Sequence, residues 1–201
     1  MENPQDNHRT LIAITGGIGA GKSVVSRMLS VLGYPVYDCD TYARLIIDTM
    51  PGVKERIAAQ VTPQAIAADG SYHRAAVARV VFADASRLAR LNAIVHAAVI
   101  EHLAQWCLQQ PPGPLFVETA ILYTSGLSTL VSAEWRVTAP IPLRIARVIQ
   151  RSALTPSQIN QRIAAQSNEE PPHTHLPLTI LLNDNLTPLL PQLLTALQFI
   201  S

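Results

Sequence analysis

The sequence predicts an α/β fold: three layers around a parallel central sheet, with a helical insertion and a small helical lid. Three observations predict it. Residues 10–15, TLIAIT, are β-rich and apolar on both faces, as a strand buried inside a parallel sheet must be. They run into a glycine-rich turn and then KSVVSRMLSVLG, where Val24, Val25, Met28, Leu29 and Leu32 recur at helical spacing and Gly33 closes the helix. A second short strand, YPVYD at 34–38, follows at once, which makes a right-handed crossover between parallel strands.

The remaining elements follow in order. Residues 1–9 are polar and read as a disordered lead-in to a core built from 10–40, 111–150 and 177–201. From 41 to 110 the pattern is helical (TYARLIIDTM, VKERIAAQV, AAVARVVFA and ASRLARLNAIVHAAVIEHLAQWCLQQ), with breaks near Pro51-Gly52 and Asp69-Gly70. After PPGP come two core-strand candidates, LFVETAIL and EWRVTAP. PLRIARVIQRSA and TPSQINQRIAAQ are helical, the second with Thr155 as N-cap and Pro156 at the first helical position. The proline-rich SNEEPPHTHLP is a loop. LTILLND is a last strand and TPLLPQLLTALQF a closing helix.

Composition sets the outer limits. With 201 residues, 48% hydrophobic and 14% charged, the chain is a folded globular protein. A net charge of +1 offers no basic field for nucleic acid. Two cysteines, Cys39 and Cys107, have no metal-ligand spacing and make no disulfide framework. There is no signal-peptide order at the start and no apolar run of about 18 residues to span a membrane, so the expected address is cytoplasmic. Oligomeric state is left open.

The glycine turn carries the chemistry. Gly16, Gly21, Lys22 and Ser23 fit GxxxxGK(S/T), a phosphate-binding loop between a strand and a helix. Backbone N–H groups of Gly17, Ile18, Gly19, Ala20, Gly21, Lys22, Ser23 and Val24 would turn inward around phosphate oxygens at the positive end of the helix. Lys22 would neutralise the outer phosphates and the Ser23 hydroxyl would help hold Mg2+. Neither DxxG nor NKxD occurs in the chain, which argues against a GTPase. A small kinase using ATP, with its acceptor bound by the helical insertion, fits better. Asp38, at the carboxyl end of the second strand, stands where a carboxylate takes the proton of an acceptor hydroxyl; Asp40 reads as the cap of the helix that follows.

Four further stretches resemble one family, dephospho-CoA kinase. DCDTYAR resembles its paired aspartates followed by Ala-Arg, with Cys39 in place of an alanine. LNAIVHAAVIEHL resembles its LNxxxHPxI segment, with Asn92 and His96 kept and Ala97 for proline. ETAILYTSG resembles an acidic-x-P-L-L-x-E segment, keeping Glu118 but carrying Ala120 and Thr124. RIARVIQRSALTPSQINQRIAAQ resembles the lid, with Arg147, Arg151 and the AAQ ending at Gln166. The resemblance runs from about residue 10 to about residue 185.

It implies transfer of the γ-phosphate of ATP to the ribose 3′-hydroxyl of dephospho-CoA, with Mg2+. Asp38 is then the catalytic base, Arg44, His96 and Glu118 lie on the acceptor side, and Arg147 and Arg151 face the phosphates from the lid. Asn183, in the NDN turn, touches the adenine; Asn185 stands where the family commonly has glycine. One departure is plain: the family carries a further Arg or Lys soon after AAQ, whereas Arg162 is the last basic residue here unless His173 or His175 is protonated. That departure and Thr124 motivate an alternative, a catalytically weakened nucleotide-binding or regulatory protein. A kinase of another small acceptor is the second alternative.

Overall fold

The computed structural model describes residues 9–152, 155–166 and 176–200. Residues 1–8 of the expected lead-in, the histidines at 173 and 175 and most of the loop after Gln166 lie outside the described residues; Arg9, expected in that lead-in, instead opens the first strand, paired with Gly113. Two compact units are present, one built from the chain up to Tyr37 and from Gln110 onward, the other from Asp38–Gln109.

The first unit holds the sheet. Its strands are β1 (Arg9–Thr15), β2 (Val36–Asp38, whose last residue begins the second unit), β3 (Gly113–Glu118), β4 (Ala133–Thr138) and β5 (Leu178–Leu182). Their order is β2-β3-β1-β4-β5, and β1 pairs in parallel with both β3 and β4. The chain therefore reverses its direction of travel at β1, and the carboxyl end of β1 lies at the switch point where open α/β sheets bind ligands. Strand β3 stops at Glu118, short of the expected span. There Thr119 donates its N–H to Ile14 O and accepts one from Ile121 N on its hydroxyl, so the chain turns.

One face of the sheet is apolar. Ile12, Ile14, Phe116, Trp135, Val137 and Leu181 pack with Val25 and Leu29 of α1 (Lys22–Val31) and with Leu193 of the closing helix, Leu189–Gln198. Phe116 stacks edge-on to Tyr34 at 5.6 Å and tilted to Trp135 at 5.1 Å. Helix α1 ends with Gly33 at φ +90°, where Gly33 and Tyr34 donate to Ser30 O and Leu29 O.

The second unit is helical: α2 (Cys39–Thr49), α3 (Val53–Gln60), α4 (Arg74–Ala83) and α5 (Ala85–Gln109). Ile46, Ile57, Val77, Ile94, Val99 and Leu103 form its buried face. Asp84 separates α4 from α5 and caps the longer helix, its carboxylate accepting from Ser86 N at 2.9 Å and Arg87 N at 3.2 Å. After β4 the chain forms α6 (Ile141–Arg151) and α7 (Pro156–Gln166), and the closing helix is α8. Thr155 opens α7 as expected: it accepts from Gln158 N while Gln158 Oε1 accepts from Thr155 N, a reciprocal cap. No helix among the described residues is long and apolar enough to cross a membrane.

Candidate active site

The loop from Gly16 to Gly21 leaves β1 at the switch point and feeds α1. Three of its glycines take positive φ: Gly16 at +134°, Gly19 at +78° and Gly21 at +105°. Gly16 has no room for a side chain, since a Cβ there would stand 2.2 Å from Val137 O of β4. Lys22 folds back over the loop and donates to Gly16 O at 2.8 Å, which holds its ammonium at the loop mouth. Ala20 N closes a turn on Gly17 O at 3.0 Å. Ile18 N points outward and donates to Gln166 Oε1, from α7, at 2.6 Å. Ser23 and Val24 are exposed in the first turn of α1.

Two arginines of α6 sit against this loop. Arg147 donates to Asn183 O at 3.0 Å, to Asn183 Oδ1 at 3.2 Å and to Asn185 Oδ1 at 2.5 Å; Asn183 in turn donates to Ala20 O at 2.8 Å. The turn after β5 is thereby tied to the back of the phosphate loop. Asp184 sets that turn by accepting from Leu186 and Thr187 backbone N–H groups, which hold its carboxyl below the ordinary pKa. Arg144 donates Nε to Ile18 O at 2.9 Å and lays its guanidinium against Gly17. Burial lowers the Arg144 pKa while leaving the group cationic at neutral pH. Arg144 is absent from the sequence reading, although its spacing of three from Arg147 puts both on one helix face.

Beside the loop a cleft of about 380 Å³ runs along the carboxyl ends of β1 and β4. Thr15, Gly17, Tyr123, Glu134, Arg136 and Arg144 line it, with Ile163 and Gln166 of α7. Glu134 is only 2% exposed. Its carboxylate accepts from Thr15 Oγ1 at 2.5 Å, from the Tyr123 hydroxyl, and from Arg136 through Nε at 2.8 Å and Nη2 at 3.1 Å. Burial alone would raise the Glu134 pKa; the hydrogen bonds from Arg136, Thr15 and Tyr123 outweigh it and hold the carboxyl below 4.5. The same pairing raises Arg136.

A pH dependence follows from that direction. A carboxyl whose folded pKa is depressed adds stability that is fully present above its unfolded pKa and disappears as pH falls through the folded value. Glu134→Gln is therefore expected to cost about 1 to 3 kcal/mol at pH 7. The gap between thermal melts of the two proteins should narrow as pH falls below the ordinary carboxyl range and close once the pH is below the depressed folded value of Glu134. A gap that stays constant from pH 7 to pH 3 would mean that Glu134 is not ionised in the folded protein.

The other sequence-derived residues belong to other elements. Asp38 closes β2 with extended backbone and caps α2: its Oδ1 accepts from Asp40 N at 3.0 Å and Thr41 N at 3.3 Å, and its Oδ2 from Thr41 Oγ1 at 2.7 Å. The cap expected at Asp40 is thus made by Asp38, because the helix begins one residue earlier, at Cys39; Asp40 is in its first turn. Arg44 is exposed on α2 and His96 half-buried on α5. Glu118 ends β3 opposite Ile14. The structure thus gathers Lys22, the loop residues, Arg147 and Asn183 at one place. Arg151, one turn beyond Arg147, is exposed at the end of α6, outside that network.

Comparison with known proteins finds similarity over nearly the whole chain. A sequence model of dephospho-CoA kinase matches residues 10–188. A dephospho-CoA kinase of Bacteroides fragilis is 34% identical over 190 residues, covering 94% of this chain and 92% of its own length. One from Thermus thermophilus is 35% identical over 163 residues, 81% of this chain and 78% of the relative. Among solved structures, the TT1252 protein of Thermus thermophilus superposes with a TM-score of 0.77 at 33% identity, over 95% of each chain. The fold is also that of a dephospho-CoA kinase from Campylobacter jejuni, with a TM-score of 0.64 at 19% identity over 96% of this chain and 98% of the other. On the matched span, the identity and the loop it contains, the chain belongs to the dephospho-CoA kinase family.

Proposed function

We propose the following division of roles for the reaction of this family, the ATP-dependent phosphorylation of dephospho-CoA to coenzyme A. The observation that carries it is the complete phosphate loop at the carboxyl end of β1, with Lys22 over its mouth and Arg144 and Arg147 against it. Loop N–H groups from Gly17 to Val24 bind the ATP phosphates, those of Ile18, Ala20 and Val24 only by giving up Gln166 Oε1, Gly17 O and Gly21 O, and Lys22 leaves Gly16 O to meet the outer ones. Arg147 and Arg151 meet the negative charge that develops on the transferring group. Asn183, held against the loop, borders the adenine.

Asp38 accepts the proton of the ribose 3′-hydroxyl as that oxygen bonds to the γ-phosphorus. The bond from the γ-phosphorus to the β,γ-bridging oxygen breaks, and ADP leaves. Arg44, His96 and Glu118 position dephospho-CoA. The lid, residues 151–176 with α7 inside it, closes over the reacting groups and excludes water as a competing acceptor.

Mg2+ fits a site of modest protein content. No group of three or more His, Cys, Asp or Glu side chains that could hold a metal occurs among the described residues. The Ser23 hydroxyl is exposed beside Lys22 in the first turn of α1. A cation that keeps several waters and takes phosphate oxygens needs little more from the protein. Held there with help from the Ser23 hydroxyl, it would supply positive charge that offsets that of the phosphate chain.

The test is mass-spectrometric detection of coenzyme A from ATP and dephospho-CoA, with and without a chelator, across a panel of other alcohol and nucleotide acceptors. Product from dephospho-CoA, lost on chelation and absent from the panel, is the expected result. Tight ATP binding with no product from any acceptor would replace this reading by that of a nucleotide-binding protein without transferase activity.

A further inference from the structure

The cleft beside the phosphate loop holds an ion pair that the roles above do not use. Glu134 and Arg136 alternate along β4 with Trp135 and Val137, whose side chains belong to the apolar core. The charged pair therefore occupies the opposite face of the same strand. A buried pair of this kind is no more stabilising than apolar residues of equal volume, so packing does not explain it. Glu134 is fully occupied by Thr15, Tyr123 and Arg136.

Arg136 is not. Its Nε and Nη2 engage Glu134 and the Tyr123 side chain lies close to it, yet the side chain keeps 28% of its exposure at the cleft. Register puts Arg136 opposite Thr15, the last residue before the loop. The next residue, Val137, presents its carbonyl to Gly16. Arg144 faces the same cleft. Counting Glu134 as −1 and the two arginines as +1 each, the ionised groups lining the cleft sum to +1.

We propose that Arg136 is a substrate-binding residue: anchored by Glu134, it presents the exposed part of its guanidinium to a phosphate oxyanion in the cleft. Glu134 is then a positioning residue that fixes the fork before the ligand arrives, so little side-chain entropy is lost on binding. The identity of the substrates rests on the kinase reading above. Both carry such oxyanions, ATP in its triphosphate and dephospho-CoA in its diphosphate, and the shared chemistry is that of a phosphate chain.

The experiment uses inorganic pyrophosphate as probe, titrated calorimetrically into the unaltered protein, Arg136→Gln, Arg136→Lys and the double variant Glu134→Gln/Arg136→Gln. The double variant removes both charges and keeps hydrogen-bonding side chains, so the fold survives if the single variant does not. Pyrophosphate affinity is expected to fall about ten- to hundredfold in both glutamine variants, as loss of a charge-assisted contact does, and to recover in part with lysine. A dissociation constant within twofold of the unaltered protein, in a variant that still melts cooperatively, would overturn the proposal and leave Arg136 a structural partner only.

Steady-state kinetics then separate the two sources. A raised KM for ATP alone assigns the oxyanion to the donor, and a raised KM for dephospho-CoA alone assigns it to the acceptor. The pyrophosphate titration does not depend on turnover, so a protein that makes no coenzyme A would sink the kinase reading without deciding the role of Arg136.

Discussion

Asp38→Asn is expected to lower kcat by about 10²- to 10⁴-fold while leaving thermal stability nearly unchanged, and Asp38→Ala to lower both. The two variants separate the two things this carboxylate does. As the cap of α2 it accepts from two backbone N–H groups and the Thr41 hydroxyl. Asparagine caps helices about as well as aspartate, whereas alanine loses about 1 kcal/mol. Neither replacement can take a proton from the acceptor hydroxyl, and general-base catalysis contributes a factor of about 10² to 10⁴. Coenzyme A formation measured beside thermal melts checks both halves. Full activity in Asp38→Asn would reduce Asp38 to a helix cap and move the base elsewhere.

The second large effect is expected at Gly16. An alanine there must adopt φ +134° and bring a Cβ to 2.2 Å from Val137 O. That atom is backbone in the middle of a parallel sheet and cannot step aside. Strained backbone of this type costs about 1 to 3 kcal/mol before the clash is added. Gly16→Ala should melt at least about 4 to 8 °C lower, on the scale of about 2 to 4 °C per kcal/mol for a chain of this size. It should also lose most ATP affinity, because the loop N–H groups no longer converge. Gly17→Ala is the contrast: its Cβ meets the far end of the Arg144 side chain, which can swing away, and its φ is not in the left-handed region. A calorimetric ATP titration of both variants tests the ranking, and equal loss in the two would refute this account of the loop.

The phosphate loop was legible in the chain because it is made of backbone: the glycines, Lys22 and Ser23 announce it with no help from distant residues. Helix limits were legible where a local signal was read, as at Gly33 and Thr155, whereas the cap at Asp84 is seen only in the structure. The cap of α2 was misread by one carboxylate, because two aspartates two residues apart look alike until the extended backbone of Asp38 is seen. Arg144, Glu134 and Arg136 stayed hidden for a different reason. Their contacts join residues such as Thr15 and Glu134, or Ile18 and Arg144, more than a hundred positions apart. Only the register of β1 against β4 creates them. A strand reading EWRVT looks half-polar in isolation, and nothing local says that its carboxylate is buried.

The central place of β1 in the sheet has a consequence for how the protein is made. Its partners are β3, where Arg9 pairs with Gly113, and β4, beginning at Ala133. Strand β1 has neither of these partners until the 104 residues that follow Arg9, through Gly113, have been added. At translation rates of about 5 to 20 residues per second, that is a wait of roughly 5 to 20 seconds. During it TLIAIT, an uncharged β-prone segment, is open to pairing with other nascent chains. The helical unit, drawn from the single stretch Asp38–Gln109, is complete just before β3 emerges, and its local helices form fast. A chain stalled between Gln110 and Ala133 thus carries a finished helical unit and an unfinished sheet, the form in which this protein is most exposed to aggregation.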